Sequence, residues 1–113
     1  MNLTLKHCLT FYSKKFYQTL SSLFILSNRI KKLKKTLKNK EEWKNISEIF
    51  INQCNELLLI EEKNDDQKFM TASFIFSNDD IIECSLKYCS KNLKENFEAN
   101  KMNFFKTLNL QIK

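Results

Sequence analysis

Residues 5–24 read LKHCLTFYSKKFYQTLSSLF, and this stretch decides the fold. Its apolar side chains recur at steps of three and four residues, which places them on one face of an α-helix. These positions are Leu5, Leu9, Tyr12, Phe16, Leu20, Leu23 and Phe24. We predict a first helix that ends near Asn28. The chain contains no Gly and no Pro, and a compact all-β fold is disfavoured because tight hairpin turns depend on those residues.

The next apolar positions keep the helical period. Ile30, Leu33 and Leu37 predict either a second helix or an extension of the first. Asn45 is followed three residues later by Glu48, a pair typical of a helix N-terminus, so we expect a third helix to begin there. The apolar positions of this third helix are Ile46, Ile49, Phe50, Leu57 and Ile60.

The second half of the chain begins with a polar cluster at residues 64–67, which interrupts the helical pattern. Residues 69–76 are rich in aromatic side chains, and we predict a packed loop or a short helix because a lone strand would have no partner. Ser77 with Asp80 resembles a capping signal for a long last helix that runs nearly to the C-terminus. Its apolar stripe is Ile82, Leu86, Cys89, Leu93, Phe97, Phe104 and Leu108.

These elements predict an all-α protein, a small antiparallel three- to four-helix bundle with a long C-terminal helix. A chain of 113 residues supports one core, so we expect a single domain over residues 1–113, with a basic three-helix part at 1–62 and a helical extension at 77–113. No apolar run approaches the roughly 20 residues of a membrane-spanning helix. Ten Phe residues exceed what one small bundle can hide, so some apolar surface should be buried against a partner.

Charge divides the chain into two unlike parts. Residues 1–40 contain ten basic residues and no Asp or Glu, while the net charge of the whole chain is +6, which leaves residues 41–113 at −4. A merely solvated helix usually mixes both signs. The basic part is therefore expected to meet an acidic protein surface, an anionic membrane surface or nucleic acid by long-range attraction.

The inventory of reactive residues gives little support to an enzyme. His7 is the single histidine, and Cys8, Cys54, Cys84 and Cys89 match no zinc or redox spacing. We expect no catalytic residues and no metal site. The cysteines are expected to be buried or half-buried thiols, with a bridge between Cys84 and Cys89 or a metal site as the alternatives.

Three stretches carry a resemblance to a known family: residues 8–13 read CLTFYS, residues 31–40 read KKLKKTLKNK and residues 76–83 read FSNDDIIE. They resemble the Leu-Tyr-Arg (LYR) motif family of small, basic mitochondrial proteins. In the first stretch Phe11 stands for the motif Leu, Tyr12 matches, and Ser13 replaces the Arg. The second stretch is similar to the basic second helix of the family. The third resembles the C-terminal segment of the member that accompanies the mitochondrial cysteine desulfurase.

The resemblance implies a non-catalytic adaptor of the mitochondrial matrix that binds an acyl carrier protein and a cysteine desulfurase in iron–sulfur cluster assembly. It implies no cofactor of the chain's own, but an acyl-phosphopantetheine chain brought by the carrier protein. The implied partner contacts are Tyr12, Lys14, Lys15, Lys31, Lys34, Lys35 and Lys38. The implied lining of the acyl chain is Phe11, Phe16, Leu20, Leu33, Leu37, Ile49 and Phe50.

Two other functions fit the same sequence. A small structural subunit of a large mitochondrial assembly, such as a respiratory complex or the ribosome, would use the basic face for lipid or RNA. A basic helical protein that binds nucleic acid or nucleoprotein is the other alternative. Nucleic acid is the weaker candidate, because Lys outnumbers Arg eighteen to one and base recognition favours Arg.

Overall fold

Five α-helices and no strands make up the part of the chain that the structure, a computed structural model, describes. That part covers residues 3–36 and 39–112, with side chains from 14 to 36 and from 39 to 108. The helices are α1 Leu3–Leu33, α2 Lys40–Leu59, α3 Asp65–Ser77, α4 Asp79–Tyr88 and α5 Lys91–Ile112. The predicted all-α helical bundle is confirmed, with five helices in place of three or four.

The first helix continues well beyond its predicted end. Asn28 lies inside α1, and Ile30, which is fully buried, carries the apolar face on to Leu33. The extension alternative is therefore the correct one. The basic run at residues 31–40, which resembled a separate helix, is not one in the part that the structure describes. It contains the last residues of α1, a turn at residues 34–36 and the first residue of α2.

The cap of the second helix lies six residues before the predicted cap, Asn45. The side chain of Asn39 accepts a hydrogen bond from the backbone N–H of Glu41 at 2.9 Å, so Asn39 caps α2. Glu41 and Glu42 follow in the first turn, where carboxylates interact favourably with the helix dipole. Asn45 is an exposed residue inside the helix, and its predicted capping role is wrong.

The polar cluster at residues 64–67 starts the third helix. Asn64 and Gln67 form a reciprocal capping box, in which the Asn64 side chain accepts from the Gln67 backbone at 2.8 Å and the Gln67 side chain accepts from the Asn64 backbone at 3.0 Å. Such a box satisfies two backbone donors that the first turn of a helix leaves unpaired. Residues 69–76 lie within α3, which confirms the short-helix alternative.

The predicted long C-terminal helix is present as α5, but its predicted start near Asp80 is wrong, because the helix is interrupted at Cys89 and Ser90 and α5 begins at Lys91. Cys89 has an extended backbone at φ −81° and ψ 169°. The Ser90 hydroxyl oxygen then accepts from the backbone N–H of Leu93 at 3.3 Å and begins α5. At the other end of α4, Asn78 stands between α3 and α4, whereas Ser77 is the last residue of α3 rather than a cap.

The core is built around α2, which packs against α1, α4 and α5. Four Phe residues, Phe16, Phe50, Phe74 and Phe97, are among the largest fully buried side chains, and each stabilises the fold by about 1.5–3 kcal/mol through burial. Trp43 stacks on Tyr88 of α4 with ring centroids 5.4 Å apart. Asn100 of α5 donates to Asn55 of α2 at 3.0 Å, and farther along both helices Phe104 lines the same cleft as Leu58. Because the partners on α5 and α2 advance together, α5 runs in broadly the same direction as α2.

Candidate functional site

The C-terminal end of α1 and the turn that follows it carry a dense group of cations. We call this group, Arg29, Lys31, Lys32, Lys34 and Lys35, the basic end; all five side chains are exposed. None of them forms an ion pair within 4.0 Å with a carboxylate among the described side chains. The positive charge of the basic end is therefore available to an external partner, and it attracts an acidic surface over about 10 Å at 0.1 M salt.

The predicted partner contacts divide into separate groups. Lys31, Lys34 and Lys35 belong to the basic end, and Lys14 and Lys15 are exposed on an earlier part of α1. Because each helical residue advances the chain by 1.5 Å, Lys15 lies about 24 Å from Lys31 along the helix axis. Tyr12 and Lys38, the other predicted contacts, lie outside the described side chains.

The residues predicted to line the acyl chain differ in their burial. Phe16, Leu20 and Phe50 are buried in the core, and Leu33 is half-buried. Ile49 does not lie in the core, since its side chain is 51% exposed. Phe50 and Ile51 define the inward face of α2. Ile49 precedes Phe50 by one residue, so its side chain is rotated by about 100° around the helix axis and faces solvent. Phe11 and Leu37 lie outside the described side chains.

A groove of about 240 Å³ lies between α1 and α3. Its walls are almost entirely apolar, and we call it the apolar groove. The lining residues are Leu20, Phe24, Phe69, Met70, Ser73, Phe74 and Ser77. Phe24 is 50% exposed and Phe69 72% exposed, and the ring of Phe24 meets the edge of the buried Phe74 at 5.3 Å. The expectation of surplus apolar surface is confirmed.

The apolar groove and the basic end are neighbours on one side of α1. Tyr17, Phe24 and Lys31 are spaced by seven residues, about two helical turns, so they share one side of the helix. Lys31 therefore lies about 10 Å beyond Phe24 along the axis. The Ser27 hydroxyl donates to the side chain of Asn78, which fixes the end of α3 beside α1. An apolar surface thus leads directly into a cationic one.

The sequence did not reveal the groove residues of α3. Phe69, Met70 and Phe74 lie in the stretch whose aromatic side chains follow no single helical stripe. Their signal is this lack of periodicity, because a short helix with apolar side chains on several faces cannot bury all of them. Phe76, which does not line the groove, is 69% exposed and contacts Phe105 with ring centroids 5.3 Å apart.

The three described cysteines are thiols that form no disulfide. Cys54 is buried, and burial raises the pKa of its thiol. Cys84 and Cys89 are half-buried and unbridged, and burial together with the nearby Glu48 carboxylate raises the pKa of Cys89. Among the side chains that the structure describes, no group of three or more His, Cys, Asp or Glu residues could hold a metal ion; Cys8 and His7 lie outside that set.

Among the helices that the structure describes, none is both long and apolar enough to cross a membrane.

Comparison of the chain with protein-family models, with curated proteins and with solved structures finds no match in any of the three.

Proposed function

We propose that the protein is a non-catalytic adaptor that binds an acidic protein partner through the basic end and the apolar groove. The partner would present a carboxylate-rich surface to Lys31, Lys34 and Lys35. An apolar element of the same partner would enter the groove beside Phe24 and Phe69.

The observation that carries this proposal is the alignment, on one side of α1, of exposed aromatic side chains with cations that form no ion pair among the described side chains. Electrostatic attraction raises the rate of encounter and orients the partner. Desolvation of Phe24, Phe69 and Met70, which are between 37% and 72% exposed, supplies affinity at about 25 cal/mol per Å² of buried apolar area. A nucleic acid would use the cations but would leave the apolar groove unfilled.

The specific partner that the LYR resemblance suggests is an acyl carrier protein, with a cysteine desulfurase as the second member of a mitochondrial complex for iron–sulfur cluster assembly. Acyl carrier proteins are acidic, which suits the basic end. The groove volume of about 240 Å³ lies just below the range of about 300–1,000 Å³ for small-molecule pockets. It therefore suits one side chain or the end of an acyl chain rather than a whole cofactor.

The direct test is calorimetric titration of the protein with purified acyl carrier protein in its acylated form and its unacylated form. We expect 1:1 binding that weakens at high salt and is tighter for the acylated form. The triple change of Lys31, Lys34 and Lys35 to Glu should abolish binding while the helical circular dichroism is retained. The matched control is the change of Lys87, Lys91 and Lys94 to Glu, since these lysines are exposed on α4 and α5.

A second variant tests the groove. Phe69→Ala removes a 72% exposed side chain, so it should leave stability unchanged and weaken binding at least tenfold. Met102→Ala is the control, because Met102 is 60% exposed on α5, away from the groove. If the acylated carrier protein binds equally well to both triple variants, or if Phe69→Ala has no more effect than Met102→Ala, the proposed surface is wrong. Native mass spectrometry of the protein isolated from its own cells should show the acylated carrier protein; RNA in its place would favour a structural subunit.

A further inference from the structure

A second cavity is separate from the basic end and from the apolar groove, with which it shares no lining residue. It is a cleft of about 320 Å³ between the C-terminal end of α2, the start of α3 and the middle of α5. Two cations, Lys63 and Lys68, line it together with the amide side chain of Asn103, while Leu58 and Phe104 contribute apolar wall. Cations beside an apolar wall in a concave site favour an anion attached to an apolar group.

Lys63 is held in a defined position at this cleft. Its side chain is half-buried. The Nζ atom donates to the carbonyl oxygen of Ile60 and, at 3.4 Å, to that of Leu58, so it caps the last carbonyls of α2. It also lies 5.4 Å from the centroid of the Phe104 ring. These contacts fix the ammonium group before any ligand arrives, which lowers the entropy that binding would cost.

The ammonium groups of Lys63 and Lys68 form no ion pair with the one carboxylate of the described lining. Burial of the ammonium group and the nearby charge of Lys68 lower the pKa of Lys63 to about 8. Glu61 is the one carboxylate in the described lining, and it forms no ion pair within 4.0 Å with either lysine. The residues of α2 and α5 that line the cleft are uncharged. Two positive charges thus face the same cleft without a bound counter-charge among the described side chains.

We propose that this cleft binds a small oxyanion, a phosphate or carboxylate group carried on a compact apolar body, between Lys63 and Lys68. The anion would take the position where it contacts both ammonium groups, as charge-assisted hydrogen bonds require. Its apolar body would lie against Phe104 and Leu58. This site is separate from the basic end and from the apolar groove, so it stands or falls independently of the proposed function.

The test is an NMR titration of lysine side chains labelled with ¹³C and ¹⁵N, with inorganic phosphate and with phenyl phosphate as probes and sodium chloride at equal ionic strength as the reference. Bound anion should move the pKa of Lys63 upward from about 8, because the charged form gains a partner. By linkage, affinity should fall several-fold between pH 7 and pH 9.5 as Lys63 loses its proton. Phenyl phosphate should bind more tightly than inorganic phosphate if the apolar wall takes part.

The variant Lys68→Gln tests whether Lys68 takes part in binding the anion. It should weaken phosphate binding about tenfold, and without phosphate it should raise the pKa of Lys63, since the neighbouring like charge is gone. Lys106→Gln is the control, because Lys106 is exposed on α5 and does not line the cleft. An equal shift of Lys63 in phosphate and in chloride would mean salt screening alone and would overturn the site. So would an equal loss of binding in the two variants.

Discussion

Replacement of Asn78 by Ala should destabilise the fold more than any exposed substitution, because this one side chain joins α1 to the junction of α3 and α4. Asn78 is 4% exposed. Its Nδ2 atom donates to the carbonyl oxygen of Phe74 at 2.9 Å, and its Oδ1 atom accepts from the hydroxyl of Ser27. Its backbone, at φ −113° and ψ 23°, is open to Ala without left-handed strain. The change therefore reports on the side-chain hydrogen bonds.

The expected loss follows from those bonds. Each contributes about 1 kcal/mol net, and the Ser27 hydroxyl, which is 1% exposed, would remain buried without its acceptor at a further cost of about 1–3 kcal/mol. We expect a total of about 3–5 kcal/mol. For a urea dependence of about 2 kcal/mol per M, the unfolding midpoint should fall by about 1.5–2.5 M.

Urea unfolding followed by circular dichroism checks this prediction, with Asn96→Ala on the exposed side of α5 as the control. The double variant Ser27→Ala with Asn78→Ala should lose less stability than the two single variants together, by about 1 kcal/mol or more, since no orphan hydroxyl remains. Strict additivity, or a loss below about 0.5 kcal/mol for Asn78→Ala, would show that the buried contact does not hold these helices together.

Two further predictions concern the cap of α2 and the thiols. Asn39→Ala should cost about 0.5–2 kcal/mol of unfolding free energy, measured by thermal unfolding, while Asn45→Ala at the exposed helix position should be close to neutral. Alkylation by iodoacetamide at pH 8, followed by peptide mass spectrometry, should leave Cys54 unmodified in the native protein and modify Cys84 and Cys89 faster, because burial suppresses the Cys54 thiolate most strongly. Rapid native labelling of Cys54 would contradict its burial.

The sequence predicted the long amphipathic helices well because their apolar spacing is a local signal. Phe16, Leu20 and Phe50 lie in the core as their periodicity indicated. The sequence does not predict the break between α4 and α5, because Leu86, Cys89, Leu93 and Phe97 keep helical spacing across it. A single Ser within such a continuous apolar stripe does not by itself indicate a helix cap. Periodicity locates the centre of a buried face better than its edges, which is why Ile49 was misplaced.

The candidate site was predictable in charge but not in shape. The cations of the basic end are visible as a run of lysines without acidic neighbours. The apolar groove, in contrast, exists because α3 docks beside α1, a contact between segments about 50 residues apart, as the bond from Ser27 to Asn78 shows. No local pattern encodes that docking. No local pattern predicts the cleft at Lys63 either, because one of its walls comes from α5.

The pairing of α2 with α5 has a consequence for the order in which the protein is made. Asn55 meets Asn100 across a sequence separation of 45 residues. A ribosome that adds residues from the N-terminus onward must therefore release α2 well before the helix that covers it. During that interval the inward face of α2, with Phe50, Ile51 and Leu57, lacks part of its packing. Cooperative folding of the nascent chain is then expected to wait for α5, and chains that end before residue 91 should be recovered as aggregates or with a chaperone.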